Sequence, residues 1–200
     1  NAVYLKATWE SQFDKSRSGP AGFTTASAKK VTAQFMRQII EDVGYTASPG
    51  WQRIVLPYVG GELTMRIVLP VGHSTDALLP VATEPTLPSA RSWVDLRLPK
   101  WNAVSTIDLL PALARLGLSD VEDLDGIAPG LQVSQAVHRA MITVDELGTE
   151  AAAVTGIAIA SAGMAGSPTV MNVDRPFVWA IVHEPTGTPI FTGQVSDPTI

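Results

Sequence analysis

The ordinary catalytic searches come first, and each fails on residue type or spacing. The histidines are His73, His138 and His183, and no His-Glu-x-x-His pair sets two imidazoles one helical turn apart. A zinc site built on such a pair is therefore not expected. No Gly-x-Ser-x-Gly elbow is present to expose a nucleophilic serine. No Gly-x4-Gly-Lys loop is present to cradle phosphates. Cysteine is absent, which removes a disulfide scaffold, a thiolate metal cage and a thiol nucleophile. The sequence thus offers no catalytic residue, no metal site and no cofactor site. A hydrolase assembled from scattered residues is the enzymatic alternative. His138 stands on an otherwise apolar strand face and reads as a buried neutral imidazole with its hydrogen bonds satisfied. Lys6, Arg97 and Lys100 read as solvated or paired charges.

The stretch that carries information is Asp145-Glu146-Leu147-Gly148-Thr149-Glu150-Ala151-Ala152-Ala153-Val154-Thr155. A strand ending at Glu146 runs into Gly148, a threonine and then small side chains. With period two, Thr149, Ala151, Ala153 and Thr155 share one side, and Glu150, Ala152, Val154 and Gly156 share the other. The first set is uniformly small, so it can slide into the interior of a sheet without overpacking it. Glu150, on the other side, stays in water. A flexible linker is the plain alternative, although a linker has no need of the alternation.

The elements that position this tract are mostly strands. Val3, Leu5, Ala7 and Trp9 alternate with more polar neighbours, giving a strand with one apolar face. Val31, Phe35, Ile39 and Val43 repeat every four, which locally favours a helix over 31–43. Two β-branched runs, at 53–59 and 62–70, flank Gly60-Gly61, whose freedom at positive φ suits a hairpin. Arg-Ile-Val-Leu-Pro occurs in both runs and nowhere else, so the chain is not a repeat protein. Prolines break 71–91 into segments that hold only short helices. Val94, Leu96 and Leu98 alternate with Asp95 and Arg97 as a further strand. Asp108 caps a helix with Leu109, Leu110, Leu113 and Leu116 as its apolar stripe, Pro111 in its first turn and Gly117 as its left-handed end. Ala136, His138, Ala140, Ile142 and Val144 share one side of a strand over 134–144. A second hairpin joins 176–183 to 189–195 around Pro185-Thr186-Gly187.

Composition agrees. The 200 residues are 46% hydrophobic and 16% charged, with 16 Gly and 15 Pro, which suits one large domain or a part of one, rich in turns and strands. The net charge of −5 argues against nucleic acid as a partner. From Ala151 to Val173 no residue is charged, but Gly, Ser, Thr, Asn and Pro dilute the stretch too heavily for a membrane span. It reads as a long loop. Asn1-Ala2-Val3-Tyr4 has neither a start Met nor a signal pattern, so the chain is expected to be processed, cropped or truncated at its start.

Ordered matches over the whole chain resemble the serpin family of serine protease inhibitors. Val144 to Ala153 looks like the hinge of a serpin reactive loop. Asn1 to Trp9 is similar to the third strand of the large sheet, ending at the breach tryptophan. Leu98-Pro99-Lys100 resembles the sixth strand and Ser134 to Ala140 the entry to the fifth. Asp174-Arg175-Pro176-Phe177 resembles the Asn-Arg-Pro-Phe after the loop, and Phe191-Thr192-Gly193-Gln194-Val195 with Pro198 resembles the closing strand and tail. The resemblance implies an α+β fold of mostly antiparallel and mixed sheets with a few short helices. It implies that 1–200 is the C-terminal portion of one larger domain, with 147–173 its reactive-centre loop, and it assigns 31–43 to strand.

It also implies roles. Asn1 and His138 form a hydrogen-bonded shutter beneath the opening sheet. Glu146 and Lys100 pair near Trp9. Gly148 and Thr149 are the pivot, Thr149 is the first side chain to insert, and Glu150, Ala151, Ala152 and Ala153 complete the hinge. Counting from Glu146 places the cleaved bond at Ala162-Gly163. Counting back from Pro176 places it near Ala165, with Met164-Ala165 the second choice. Small or Met specificity residues imply an elastase-, subtilisin- or chymotrypsin-like serine protease as partner, and an inhibitor rather than an enzyme. A non-inhibitory member or an inactive fragment is the alternative. The family's usual setting implies an extracellular location.

Overall fold

The computed structural model describes residues 1–85, 87–117, 127, 133, 135–149 and 167–200. They form two compact units, one of 1–5 with 102–142 and one of 6–101 with 143–200. Two of the three seams between them fall inside strands and the third in the link between residues 4 and 7, where composition does not change.

The smaller unit holds β1 (Ala2–Tyr4), the larger part of β8 (Trp101–Asp108), α2 (Leu109–Arg115) and most of β9 (Val137–Val144). β1 runs parallel to β9, with Ala2 opposite Arg139 and Tyr4 opposite Met141. β8 also pairs with β9. The Asp108 carboxylate accepts a hydrogen bond from the Leu110 amide at 3.1 Å and caps α2. Gly117 follows the helix at φ 82°, the left-handed stop expected there. The leucine stripe does not become a core among the described residues. Leu109, Leu110 and Leu113 are half-covered and Leu116 is 77% exposed. The periodicity sets out a face, but this unit offers little to cover it.

The larger unit is built on an eight-stranded sheet. Its members are β3 (Gly19–Thr24), β4 (Lys30–Ser48), β5 (Trp51–Pro57), β6 (Leu63–Pro70), β7 (Ala90–Pro99), β11 (Thr169–Asn172), β12 (Phe177–His183) and β13 (Thr188–Val195). The order is β11-β7-β4-β5-β6-β12-β13, with β3 paired to β4. All these contacts are antiparallel except β11 on β7. The two runs flanking Gly60-Gly61 form the β5–β6 hairpin, and both glycines have positive φ, 95° and 72°. Phe177 to Val182 are all buried, as suits a strand with a neighbour on each side. Helix α1 (Leu79–Thr83) is the short element that the prolines allow. It packs Ala82 against Val68, Val178 and Val182.

The stretch 31–43 is strand, not the helix that its spacing of four favours. Four is also twice two, so Val31, Phe35 and Ile39 lie on one strand face as well as on one helix face. The pairing with β7 then slips between Ile40 and Val43, with Asp42 at φ 57°. This bulge returns Val43 to the same buried side as Ile40.

The repeated pentapeptide places two arginines, Arg53 and Arg66, diagonally on one face of the hairpin. They are 1% and 2% exposed. Arg53 donates to the Leu87 and Glu84 carbonyls at 3.1 and 3.2 Å. Arg66 donates to the Glu84 carbonyl at 3.0 Å and to the Glu184 carboxylate at 2.9 Å. Thr64 donates to the same carboxylate. Burial first, then the neighbouring Arg66 charge, push the Arg53 guanidinium down to about 10. It therefore stays charged at neutral pH.

Candidate functional site

The candidate site lies in the larger unit, where β2 (Ala7–Thr8) and the end of β9 receive a third strand, β10 (Gly148–Thr149). The turn between β9 and β10 is made by Asp145. Its carboxylate accepts from the Leu147 and Gly148 amides at 2.8 and 3.3 Å. Its own amide donates to the Gly148 carbonyl at 3.0 Å. An Asp with Gly three residues on is a recognised turn signal, and it reverses the chain here.

Gly148 has φ 146° and lies against β2. A Cβ at this position would stand 2.1 Å from the Ala7 carbonyl oxygen and 2.8 Å from the Thr8 Cα. Both the dihedral and the approach require glycine. The next residue, Thr149, is fully buried. It pairs with Ala7 on one side and with Val144 on the other. Its hydroxyl shares a 2.7 Å hydrogen bond with the Tyr58 hydroxyl. Burial pushes the Tyr58 phenol well above its usual value, and the bond to Thr149 opposes this only in part. Tyr58 therefore works here as a neutral hydrogen-bonding group.

Aromatic rings close one end of the slot. Trp9 stacks on Tyr58, centroid to centroid at 4.5 Å and 13° between planes, and meets Phe13 edge-on at 6.4 Å. The Trp9 indole donates to the Asp145 carbonyl at 2.9 Å. The Trp9 and Phe13 amides donate to the Leu147 and Glu146 carbonyls, both at 3.0 Å. The turn 145–148 is thus tied to the segment 9–13 through both backbone and side chain.

Glu146 is buried, and its carboxylate lies 2.7 Å from Lys100 Nζ. Burial alone would raise its pKa. The hydrogen bonds from Lys100 and from its own amide, with the Lys100 charge, outweigh burial and hold the carboxyl below its usual range.

Of the residues singled out in the sequence, Trp9, Lys100, Glu146, Gly148 and Thr149 come together here. Asn1 and His138 lie in the smaller unit. There the Asn1 carbonyl accepts from the Arg139 amide and the Asn1 nitrogen donates to the Val137 carbonyl, both at 2.9 Å. These two bonds bracket His138, which is half-buried. Among the described residues no hydrogen bond joins the Asn1 carboxamide to the His138 ring. Glu150, Ala151, Ala152 and Ala153, and the cleavage candidates Ala162, Gly163, Met164 and Ala165, lie outside the described residues. Tyr58 and Asp145 were not singled out by sequence reasoning. Asp145 carried a signal in its spacing to Gly148. Tyr58 carried only its place at the end of an otherwise aliphatic strand. Among the described residues no cluster of His, Asp or Glu could hold a metal ion, and no helix is long and apolar enough to cross a membrane.

The site is thus a two-residue strand, Gly148–Thr149, seated between β2 and β9 and closed by a tryptophan and a buried ion pair. The family model described as "Serpin (serine protease inhibitor)" matches residues 1–198, and the chain belongs to that family. It is 35% identical to human glia-derived nexin over 218 aligned positions, covering 99% of this chain and 54% of the relative. It is 32% identical to the bovine leukocyte elastase inhibitor, covering 99% and 57%. The solved structure of a serpin from the trematode Schistosoma haematobium superposes with a TM-score of 0.86 at 25% identity, covering 99% of this chain and 56% of that one. The chain spans about half the length of the relatives that it matches. The strand-rich fold of mixed sheets with few helices is that of the family.

Proposed function

We propose that this chain is the loop-bearing half of a serine protease inhibitor that acts as a suicide substrate. The observation that carries the reading is Thr149. It is buried, paired to strands on both sides, and preceded by a glycine that no other residue could replace without displacing the backbone. A segment seated in this way has begun to be a middle strand. The residues after it are small enough to continue. One relative at 32% identity carries the name leukocyte elastase inhibitor, which agrees in kind with a target that accepts small specificity residues.

In this reading the protease serine attacks the carbonyl of Ala162, or of Met164 as the second choice. The peptide C–N bond breaks, the amine side leaves with a proton, and the loop remains attached through an ester. The freed strand then continues from Thr149 into the slot between β2 and β9. Residues 149 to 162, at roughly 3.3 Å each, carry the bound protease about 45 Å. The inhibitor contributes no catalytic group. It needs only that insertion outrun hydrolysis of the ester.

The test is Thr149→Arg in the full-length inhibitor. A guanidinium cannot enter the 149 position beside Tyr58 without a large desolvation cost. The variant is expected to be cleaved and released as a substrate. An SDS-stable protease complex at undiminished yield would overturn the reading. A loop-cleaved wild type that gains no heat stability would point instead to a non-inhibitory member.

A further inference from the structure

Near the turn between 13 and 19, the larger unit has a cavity of about 310 Å³, walled by Arg17, Arg37 and Arg97 and lined with apolar surface from Phe35, Pro20 and Ala21. Arg37 and Arg97 are direct cross-strand partners in the β4–β7 pairing. Like charges placed opposite each other destabilise a sheet. One of the two is neutralised, because Asp95, two residues before Arg97 on the same face, takes both arms of the Arg37 guanidinium at 2.9 and 2.6 Å. Arg17, from the short 3-10 turn Lys15–Arg17, adds a third guanidinium. The side chains of Arg17 and Arg97 are exposed and hold no hydrogen bond or ion pair among the described residues. With the carboxylates of Asp95 and Asp14 as the acidic groups that these arginines act on, the wall stays net positive in a chain whose net charge is −5.

We infer that this cavity is a docking site for an acidic side chain of a partner polypeptide, held by the Arg17 and Arg97 guanidinium groups over the apolar lining. The Arg37–Asp95 fork shows that guanidinium and carboxylate already pair at this wall with good geometry, and an arginine fork matches a second carboxylate equally well. The Asp95 carboxyl is held below its usual range first by its bonds to Arg37, against burial, and then by the charges of Arg37, Arg97 and Arg17, so the three arginines act on one place. The volume is at the small end for ligand pockets. It holds one side chain with its aliphatic stem on the apolar lining, and it offers no long cationic track for a sulfated polymer. The inference does not depend on the inhibitory reading, and either one can fail alone.

The experiment titrates the full chain with the blocked peptide Glu-Glu-Phe-Glu-Glu, followed by calorimetry. The probes for comparison are its glutamine counterpart, inorganic sulfate and a sulfated oligosaccharide. Binding of the acidic peptide is expected, with the glutamine peptide at least tenfold weaker. Arg97→Gln and Arg17→Gln are each expected to weaken it about tenfold, which is 1.4 kcal/mol, and the double variant to lose it. Both side chains are exposed, so the melting temperature should hold. No binding of the acidic peptide would overturn the inference. So would equal binding to the double variant, or sulfate or the oligosaccharide binding as tightly as the peptide.

Discussion

Substituting Gly148 by alanine tests the geometry of the slot directly. The new methyl group would stand 2.1 Å from the Ala7 carbonyl oxygen, far inside contact distance, and φ 146° is closed to a residue with a Cβ. Backbone strain of this kind costs about 1–3 kcal/mol, and overpacking adds about 1–3 kcal/mol. Against this, β10 is two residues long and is held by a few backbone bonds and the Tyr58–Thr149 bond, each worth about 1 kcal/mol net. The strain therefore matches or exceeds what keeps the segment in place. Because only 148–149 need leave, the expected result is local detachment with little change in global stability. Amide hydrogen exchange reads this by residue. Protection at Thr149 should fall about a hundredfold, corresponding to about 2.7 kcal/mol, while Val144 and the β5–β6 hairpin stay protected. Limited proteolysis should find a new cut near 148–150. A folded variant with unchanged protection at Thr149 would refute the argument, because it would mean that the segment does not occupy the slot between β2 and β9.

Three further outcomes follow from the buried charges. Lys100→Met should destabilise the protein by about 2–3 kcal/mol in a urea titration, less than for a fully buried pair because the Lys100 side chain is 33% exposed; restoring the loss with Glu146→Gln in the same background would assign it to the stranded carboxylate. Glu146 has a folded pKa below its unfolded one, so its contribution is complete above about pH 4.3 and is lost as pH falls through the folded value; Glu146→Gln should flatten this acid limb, and an unaltered limb would contradict the pairing. Glu184→Gln leaves Arg66 buried without its counter-charge and should cost about 1–2 kcal/mol, reduced from the buried-pair range because Glu184 is itself 35% exposed; no change in the urea midpoint would show that the Glu84 carbonyl suffices.

Much of the fold was legible because period two is a strong signal where one face is buried. The runs around Gly60-Gly61 and Pro185-Thr186-Gly187 are hairpins for the reasons visible in their residues. Val94, Leu96 and Leu98 are buried as their alternation requires. The signal failed where two periods coincide. Val31, Phe35 and Ile39 fit helix and strand alike, and the bulge before Val43 cannot be read from spacing. The α2 helix, its Asp108 cap and its Gly117 end were legible, but amphipathicity does not say whether a partner surface exists. In the candidate site, the turn at Asp145 and the need for glycine at 148 follow from local chemistry. The approach of Lys100 to Glu146 came to attention only through family resemblance, since local sequence does not relate positions so far apart. Tyr58 was missed for a related reason. Its role depends on the Trp9 ring that stacks on it, which no local pattern reveals.

The position of β12 has a consequence for synthesis. Its partner β6 is made first, and Arg66 must wait for Glu184, 118 positions further on. Until then a nearly continuous apolar strand has one edge unpaired in the emerging polypeptide, and such an edge invites pairing with a neighbouring nascent chain. The large sheet closes only when the hairpin of β12 and β13 has been made and docks on strands already in place.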